Sequence, residues 1–278
     1  MSIEQAIVLA IVQGITEFLP VSSSGHLVLS SWIFDWPDQG LVYDAAVHMG
    51  TLLAVLIYFR KTWVTLIRGF FNGGAVYLLE DGEVNPSVPA RRLLLLIVIA
   101  SIPIAIVGLL LREQLESSLR KPEAVAISLI GTAVLLTLAE YFGARSKRLS
   151  VATPRDTTIA GIFQAAAVLP GVSRAGATMA GGMLGNLTRD AAARLSFLLA
   201  VPAIGGSGLF LLLDVLTGNE SGDQQWGLIL LGAAISFVTG YLAIAWLMRV
   251  LRTRSFRPFI VYVAVVGVAV LVARGLGA

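Results

Sequence analysis

Apolar residues run through this chain in long unbroken blocks rather than in the one-sided stripe of a helix that faces water. A helix crossing the hydrocarbon of a bilayer needs roughly 20 mostly apolar residues. Six blocks reach or approach that length: about 42–60, 92–112, 122–142, 190–216, 226–250 and 258–276. "LLLLIVIASIPIAIVGLLL" (93–111) and "WGLILLGAAISFVTGYLAIAWLM" (226–248) contain no charged residue. Pro103 and Pro202 fall inside blocks, where a kink is tolerated when neighbouring groups re-satisfy the backbone. The pattern predicts an all-α polytopic membrane protein with six transmembrane helices.

Two further apolar regions carry a different pattern. Residues 3–33 are interrupted by Glu17 and "PVSSSG", and residues 157–186 by "PGVSRAG". Each region is too long for one span, and each half is short for a span of its own. Both read as re-entrant helix pairs that enter the bilayer, turn at a polar loop and leave on the same side. The chain also repeats itself. "LPVSSSG" (19–25) resembles "LPGVSRAG" (169–176), which has one residue more, and "DAAVHMGTLLAV" (44–55) matches "DAAARLSFLLAV" (190–201) at seven of twelve positions. This predicts one membrane domain built of two repeats, about 1–145 and 155–278, each a re-entrant pair followed by three spans. Three crossings are an odd number, so the second repeat must be inverted relative to the first. Inverted repeats with broken helices place a site near mid-membrane at the repeat interface.

Composition agrees: 56% of residues are hydrophobic and 13% charged, where soluble domains carry about 25% charged. There is no cysteine, which removes disulfides, thiolate metal sites and cysteine nucleophiles. "MSIEQAIVLA" lacks a basic leader and contains Glu4, so it does not read as a cleaved signal peptide. The net charge of +3 follows topology rather than nucleic-acid binding. When sides alternate from the N-terminus, loops 60–92, 143–157, 186–194 and 249–257 fall together and hold fifteen basic residues. The other side holds only Arg112, Arg120, Lys121 and Arg274. By the positive-inside rule, both termini and the loops 35–44 and 217–225 face outward. The one basic residue left over is Arg174, inside the second polar turn.

Ionisable groups at membrane depth are expensive and mark function by default. Gln13 and Glu17 stand four apart and share a helix face. Ser22, Ser23 and Ser24 open the next helix, with His26 three residues after Ser23. Ser173 and Arg174 occupy the matching turn, with Thr178 one turn further. Each turn presents a helix N-terminus, whose free N–H groups and dipole favour an anion. One carboxylate, one arginine, one histidine, several hydroxyls and two helix starts suit a phosphate ester or anhydride. Blander roles exist for each. Glu17 could sit at the interface, Arg174 could merely close the repeats by pairing with Glu17, and the serines could be simple N-caps. His48 lies in a span, has no counterpart in the second repeat, and reads as packing or rim.

"QGITEFLPVSSSGH" and "LPGVSRAGATMAGGML" resemble the two signatures of the bacterial undecaprenyl-diphosphate phosphatase family of the bacitracin-resistance type, and "SFLLAVPA" (196–203) also fits. The resemblance covers nearly the whole chain. It implies hydrolysis of a polyprenyl diphosphate lipid to the monophosphate carrier of cell-wall synthesis, a divalent metal (Mg²⁺ or Ca²⁺), a site opening outward and, in many members, a homodimer. By motif position it points to Glu17, Ser23, His26 and Arg174 as catalytic residues, with Ser23 as nucleophile and Glu17 as metal ligand. Gln13, Ser22, Ser24, Gly25, Ser173, Gly176 and Thr178 are the expected substrate-binding positions around them. Gln13 takes a first position that is acidic in part of the family, which removes one carboxylate from the metal.

Two other functions deserve weighing. A polyprenyl-phosphate transporter or flippase would use the same inverted-repeat scaffold. A phosphatidic-acid-phosphatase mechanism needs a histidine six residues after the arginine of its Ser-Arg element. That position is Ala180 and no histidine follows His48, so a phosphohistidine route of that kind is excluded.

Overall fold

The computed structural model describes residues 1–80, 83–84, 88–118, 121–216 and 225–277. Eleven α-helices are seen among the described residues. Two short pairs, α1 (Ile3–Phe18) with α2 (Ser23–Ile33) and α7 (Pro154–Ala165) with α8 (Arg174–Leu184), are interleaved with long helices. The long helices are α3 (Leu41–Tyr58), α5 (Ala90–Ser118), α6 (Pro122–Phe142), α9 (Arg189–Leu216), α10 (Trp226–Val250) and α11 (Arg257–Gly275). All six are long and apolar enough to cross a membrane, starting within two residues of the positions read from the hydropathy pattern. Most of the outward loop expected at 217–225, and Arg120, lie outside the described residues.

The stretch read as a loop at 60–92 holds more structure than expected. It contains α4 (Arg60–Asn72) and two antiparallel strand pairs of two residues each, β1 (Ala75–Val76) with β4 (Val88–Pro89) and β2 (Leu79–Glu80) with β3 (Glu83–Val84). Helix α4 is too short and too charged to register as a span. Val64, Ile67 and Phe71 nevertheless share one exposed face, while Leu66 is buried. An exposed apolar face beside Arg60, Lys61 and Arg68 suits a helix lying in the membrane interface.

Helix α8 is the hub. Ala175 through Met183 are all buried, because α6, α7 and α9 close around a sequence of mostly small residues that lets backbones approach. Phe18 from α1 meets Phe197 from α9 edge to face, with centroids 5.5 Å apart, and Phe59 tilts against the same ring. Outer faces of α5, α10 and α11 expose Leu95, Ile106, Leu230 and Val265, as expected of helices whose surroundings are apolar.

The ends of the bundle differ in charge. At one end Arg92 Nη2 donates to Ala152 O (2.8 Å), and the amides of Ser146 and Lys147 donate to Asn186 O. There Glu140 also accepts from Arg189 and from the Phe256 amide. All four basic segments of the charge tally are thereby gathered together. The α7–α8 pair begins and ends here: Lys147 Nζ bonds Asp156 near the start of α7, and Asn186 follows the end of α8. The start and finish of the α1–α2 pair are likewise tied to one segment, with Gln5 Nε2 donating to Pro37 O and Ser31 Oγ to Gln39 Oε1.

Candidate active site

Each short pair turns at a serine N-cap. Ser22 Oγ accepts from the Gly25 amide (3.3 Å), and Ser173 Oγ accepts from the Gly176 amide (3.0 Å). In both cases the cap satisfies the third helical amide. The capped amides belong to Gly25 and Gly176, two of the expected substrate-binding positions. The first-turn amides of Ser23 and Ser24 on α2, and of Arg174 and Ala175 on α8, are the donors the caps leave over.

The two turns solve the same reversal differently. Ser22 sits at φ 73°, whereas Ser173 has an ordinary φ of −69°. The extra residue of the second turn, Gly171, takes the positive φ instead, at 87°. A serine in that region costs on the order of 1–3 kcal/mol, and a glycine does not pay it. Gly171 also has no room for a side chain, since an added Cβ would fall 2.8 Å from Val125 Cα and Val125 O of α6.

Helix α6 is the shelf on which the turns meet. The Gly171 amide donates to Ser24 Oγ (3.4 Å), and the Ser173 amide donates to Thr132 Oγ1 (3.1 Å). A Cβ added to Gly25 would touch both Val125 and Gly171.

Beside this shelf lies a buried cluster around Glu17. Its Oε2 accepts from Ser23 Oγ (2.6 Å) and from Gln13 Nε2 (3.0 Å). Its Oε1 accepts from Arg174 Nη2 (2.9 Å), and Arg174 Nη1 reaches Ser196 O (3.3 Å). Gln13, Glu17, Ser23 and Arg174 therefore form one hydrogen-bonded group, as their spacing and the repeat suggested. The pairing of Glu17 with Arg174 is also what a purely structural closure of the repeats would produce.

His26 behaves otherwise. Its Nδ1 faces Ser22 O (2.8 Å), four residues back along the helix, and its Nε2 faces Tyr262 OH (2.9 Å) of α11. Neither ring nitrogen bonds Ser23, whose partner is Glu17. Three-residue spacing put the two on one face, but the helical carbonyl and a tyrosine from a distant span captured the ring. Thr178 likewise turns away, donating to Arg174 O (2.6 Å) in the back-bond common for helical threonine.

Three contributors were missed, Thr132 of α6 among them. His48 of α3, read as packing or rim, places Nε2 3.7 Å from Glu17 Oε2. Tyr262 gave no signal at all. Helical periodicity on α1 shows which residues accompany Glu17 on its own helix. It says nothing about which residue of α3 or α11 crosses beside it.

Comparison with known proteins bears on this arrangement. The family profile of bacitracin resistance protein BacA matches residues 6–269. The chain belongs to that family. A BacA relative from Thermobifida fusca (strain YX), named undecaprenyl-diphosphatase, is 41% identical over all of this chain and 92% of its own. Undecaprenyl-diphosphatase 1 of Pseudoalteromonas translucida (strain TAC 125) is 39% identical over 98% of each chain. Undecaprenyl-diphosphatase 2 of Streptomyces coelicolor (strain ATCC BAA-471 / A3(2) / M145) is 40% identical over all of this chain and 96% of its own.

The family resemblance carried a divalent metal with it, and the donors can be tested for fit. Among the described residues there is no group of three His, Cys, Asp or Glu side chains close enough to hold an ion. Gln13 Oε1 is buried with no hydrogen-bond partner, an orphaned oxygen beside the Glu17 carboxylate. Mg²⁺ takes one or two protein oxygens and completes its shell with water and substrate phosphate. Glu17 and Gln13 fit that mode, though not an all-protein cage.

Proposed function

We infer that this BacA-family chain is a membrane-embedded hydrolase. It converts undecaprenyl diphosphate to undecaprenyl phosphate and inorganic phosphate. Family membership and the names of relatives sharing its full length support the activity. The observation that carries the mechanism is the Ser23 hydroxyl, 2.6 Å from a buried carboxylate beside an arginine.

In the proposed reaction Ser23 Oγ attacks the terminal phosphorus while its proton passes to Glu17. The bond from phosphorus to the bridging oxygen breaks, and the lipid monophosphate leaves with the proton that Glu17 returns to it. Glu17, again a carboxylate, then deprotonates a water that attacks the same phosphorus; the bond to Ser23 Oγ breaks, phosphate is released, and Glu17 hands the proton back to Ser23. Arg174 swings from Glu17 to the phosphate, whose oxygens it can grip bidentately. The spare first-turn amides of α2 and α8 supply further donors to charge developing in the transition state. A metal held by Glu17 and Gln13 would neutralise phosphate charge. His26, held by Tyr262, orients the first turn of α2 and is the nearest candidate to pass protons outward.

We further propose that α1–α2 and α7–α8 are re-entrant pairs of opposite topology, entering from opposite ends of the bundle. The arginine-rich end would be cytoplasmic, with both termini and the site's mouth outside. A flippase on this scaffold would need no serine bonded to a buried carboxylate.

Acid quench of wild-type protein during turnover of a C15 diphosphate, followed by peptide mass spectrometry, tests the covalent step. Phosphate is expected on Ser23. Ser23 unmodified at every time point while phosphate is being released would mean that water attacks directly.

A further inference from the structure

The arginine-rich end contains a cleft of about 730 Å³ that the catalytic reading does not use. It lies between the end of α6, the start of α9 and the α10–α11 turn. Glu140 organises its floor, accepting from Arg189 at Nε (2.8 Å) and Nη2, from Arg145 Nη1 (2.9 Å) and from the Phe256 amide (2.8 Å). One carboxylate thus fixes two guanidinium groups and the backbone of the turn. Arg254 and Arg257 also line the cleft, are exposed, and have no acidic partner among the described residues. Four arginines against one glutamate leave three positive charges facing one cavity.

Its outer wall is apolar. Tyr141 is 80% exposed and Val261 61%, both on helices long and apolar enough to cross a membrane, while Thr253 and Ser255 line the polar side. A basic pocket that opens sideways onto exposed apolar helix faces suits an amphiphile rather than a free ion. Along α6, Glu140 stands eight residues beyond Thr132, which holds the second turn. At the helical rise that is about 12 Å, so the cleft is separate from the Glu17 cluster.

We propose that this cleft is a second site, which binds the phosphate head of an anionic membrane lipid. The guanidinium groups of Arg254 and Arg257 grip the phosphate oxygens, the Glu140-held pair supplies the field behind them, and the chains lie along α6 and α11. The site would tie the turn between the last two spans to the lipid surface. This inference does not rest on the phosphatase chemistry and survives or fails apart from it.

Native mass spectrometry of the full-length protein in detergent, titrated with dioleoyl phosphatidic acid, dioleoyl phosphatidylcholine or inorganic phosphate, tests it. Phosphatidic acid should be retained in preference to phosphatidylcholine. The R254Q/R257Q variant should hold it at least about tenfold more weakly, with diphosphate turnover within about twofold of wild type. Equal retention by the variant would overturn the proposal, as would a lack of preference over phosphatidylcholine. Displacement of the lipid by an equal concentration of inorganic phosphate would show a free-anion site and overturn the lipid assignment. A fall in turnover parallel to the loss of lipid would show that the arginines serve the catalytic cluster, which would overturn a separate site.

Discussion

Glu17 Oε1 and Arg174 Nη2 lie 2.9 Å apart although 157 residues separate them in the chain. The pair joins the end of α1 to the start of α8, and both side chains are largely buried. Removing one member strands the other charge, at a cost of about 3–5 kcal/mol for a buried pair. Arg174→Ala should therefore lower the melting temperature in detergent and cut phosphate release by at least about 100- to 1000-fold. Arg174→Lys should recover much of the stability and little of the rate, because a lysine cannot reproduce the bidentate fork. A lysine variant with wild-type turnover would reduce Arg174 to a structural clasp.

The positive φ of Ser22 gives a prediction about stability alone. Ser22→Gly relieves the backbone while losing a cap, and should leave unfolding within about 1 kcal/mol of wild type. Ser22→Ala keeps the strain and loses the cap, and should cost about 1–2 kcal/mol. Gly171→Ala should be the worst of the three, since an added Cβ meets the α6 backbone at 2.8 Å. Thermal unfolding of the three variants in one detergent gives the ranking.

His48 is 3.7 Å from Glu17 Oε2, close enough to stabilise the carboxylate or to hold a water against it. His48→Ala should lower kcat/KM roughly 100-fold, the low side of a positioned acid–base group. Tyr262→Phe, which removes the partner of His26 Nε2, should have a smaller effect. Steady-state kinetics on the two variants would reverse this order if His26 is the principal proton carrier.

Gln13 tests the metal. Replacing its orphaned amide oxygen by a carboxylate, Gln13→Glu, should tighten Mg²⁺ about tenfold or more, since charge count tunes the affinity of oxygen sites. Calorimetric titration of Mg²⁺ into wild type and variant measures it. Chelation should abolish turnover in both, and unchanged affinity would remove Gln13 from the ligand set.

What could be read in the sequence follows from the range of each interaction. The six spans were legible because twenty apolar residues in a row are a local property, as in 93–111. The meeting of Glu17 with Arg174 was legible only through the repeat, which paired two polar turns far apart in the chain. Helix α4 escaped because thirteen residues with Arg60, Lys61 and Arg68 fall below any span threshold, although its apolar positions recur with helical spacing. His48, Tyr262 and Thr132 escaped for another reason. Each sits in an apolar span, and only the crossing of that span beside the turns gives its polar atom a partner.

The proposed chemistry stands or falls with Ser23, held by Glu17, as the nucleophile. Phosphate release from undecaprenyl diphosphate by purified protein with Mg²⁺, measured side by side for wild type and Ser23→Ala, tests it most directly. Wild type should release phosphate steadily and the variant none above background, with substrate affinity within a few-fold. Release by Ser23→Ala at a rate near wild type, or no release by wild type, would contradict it.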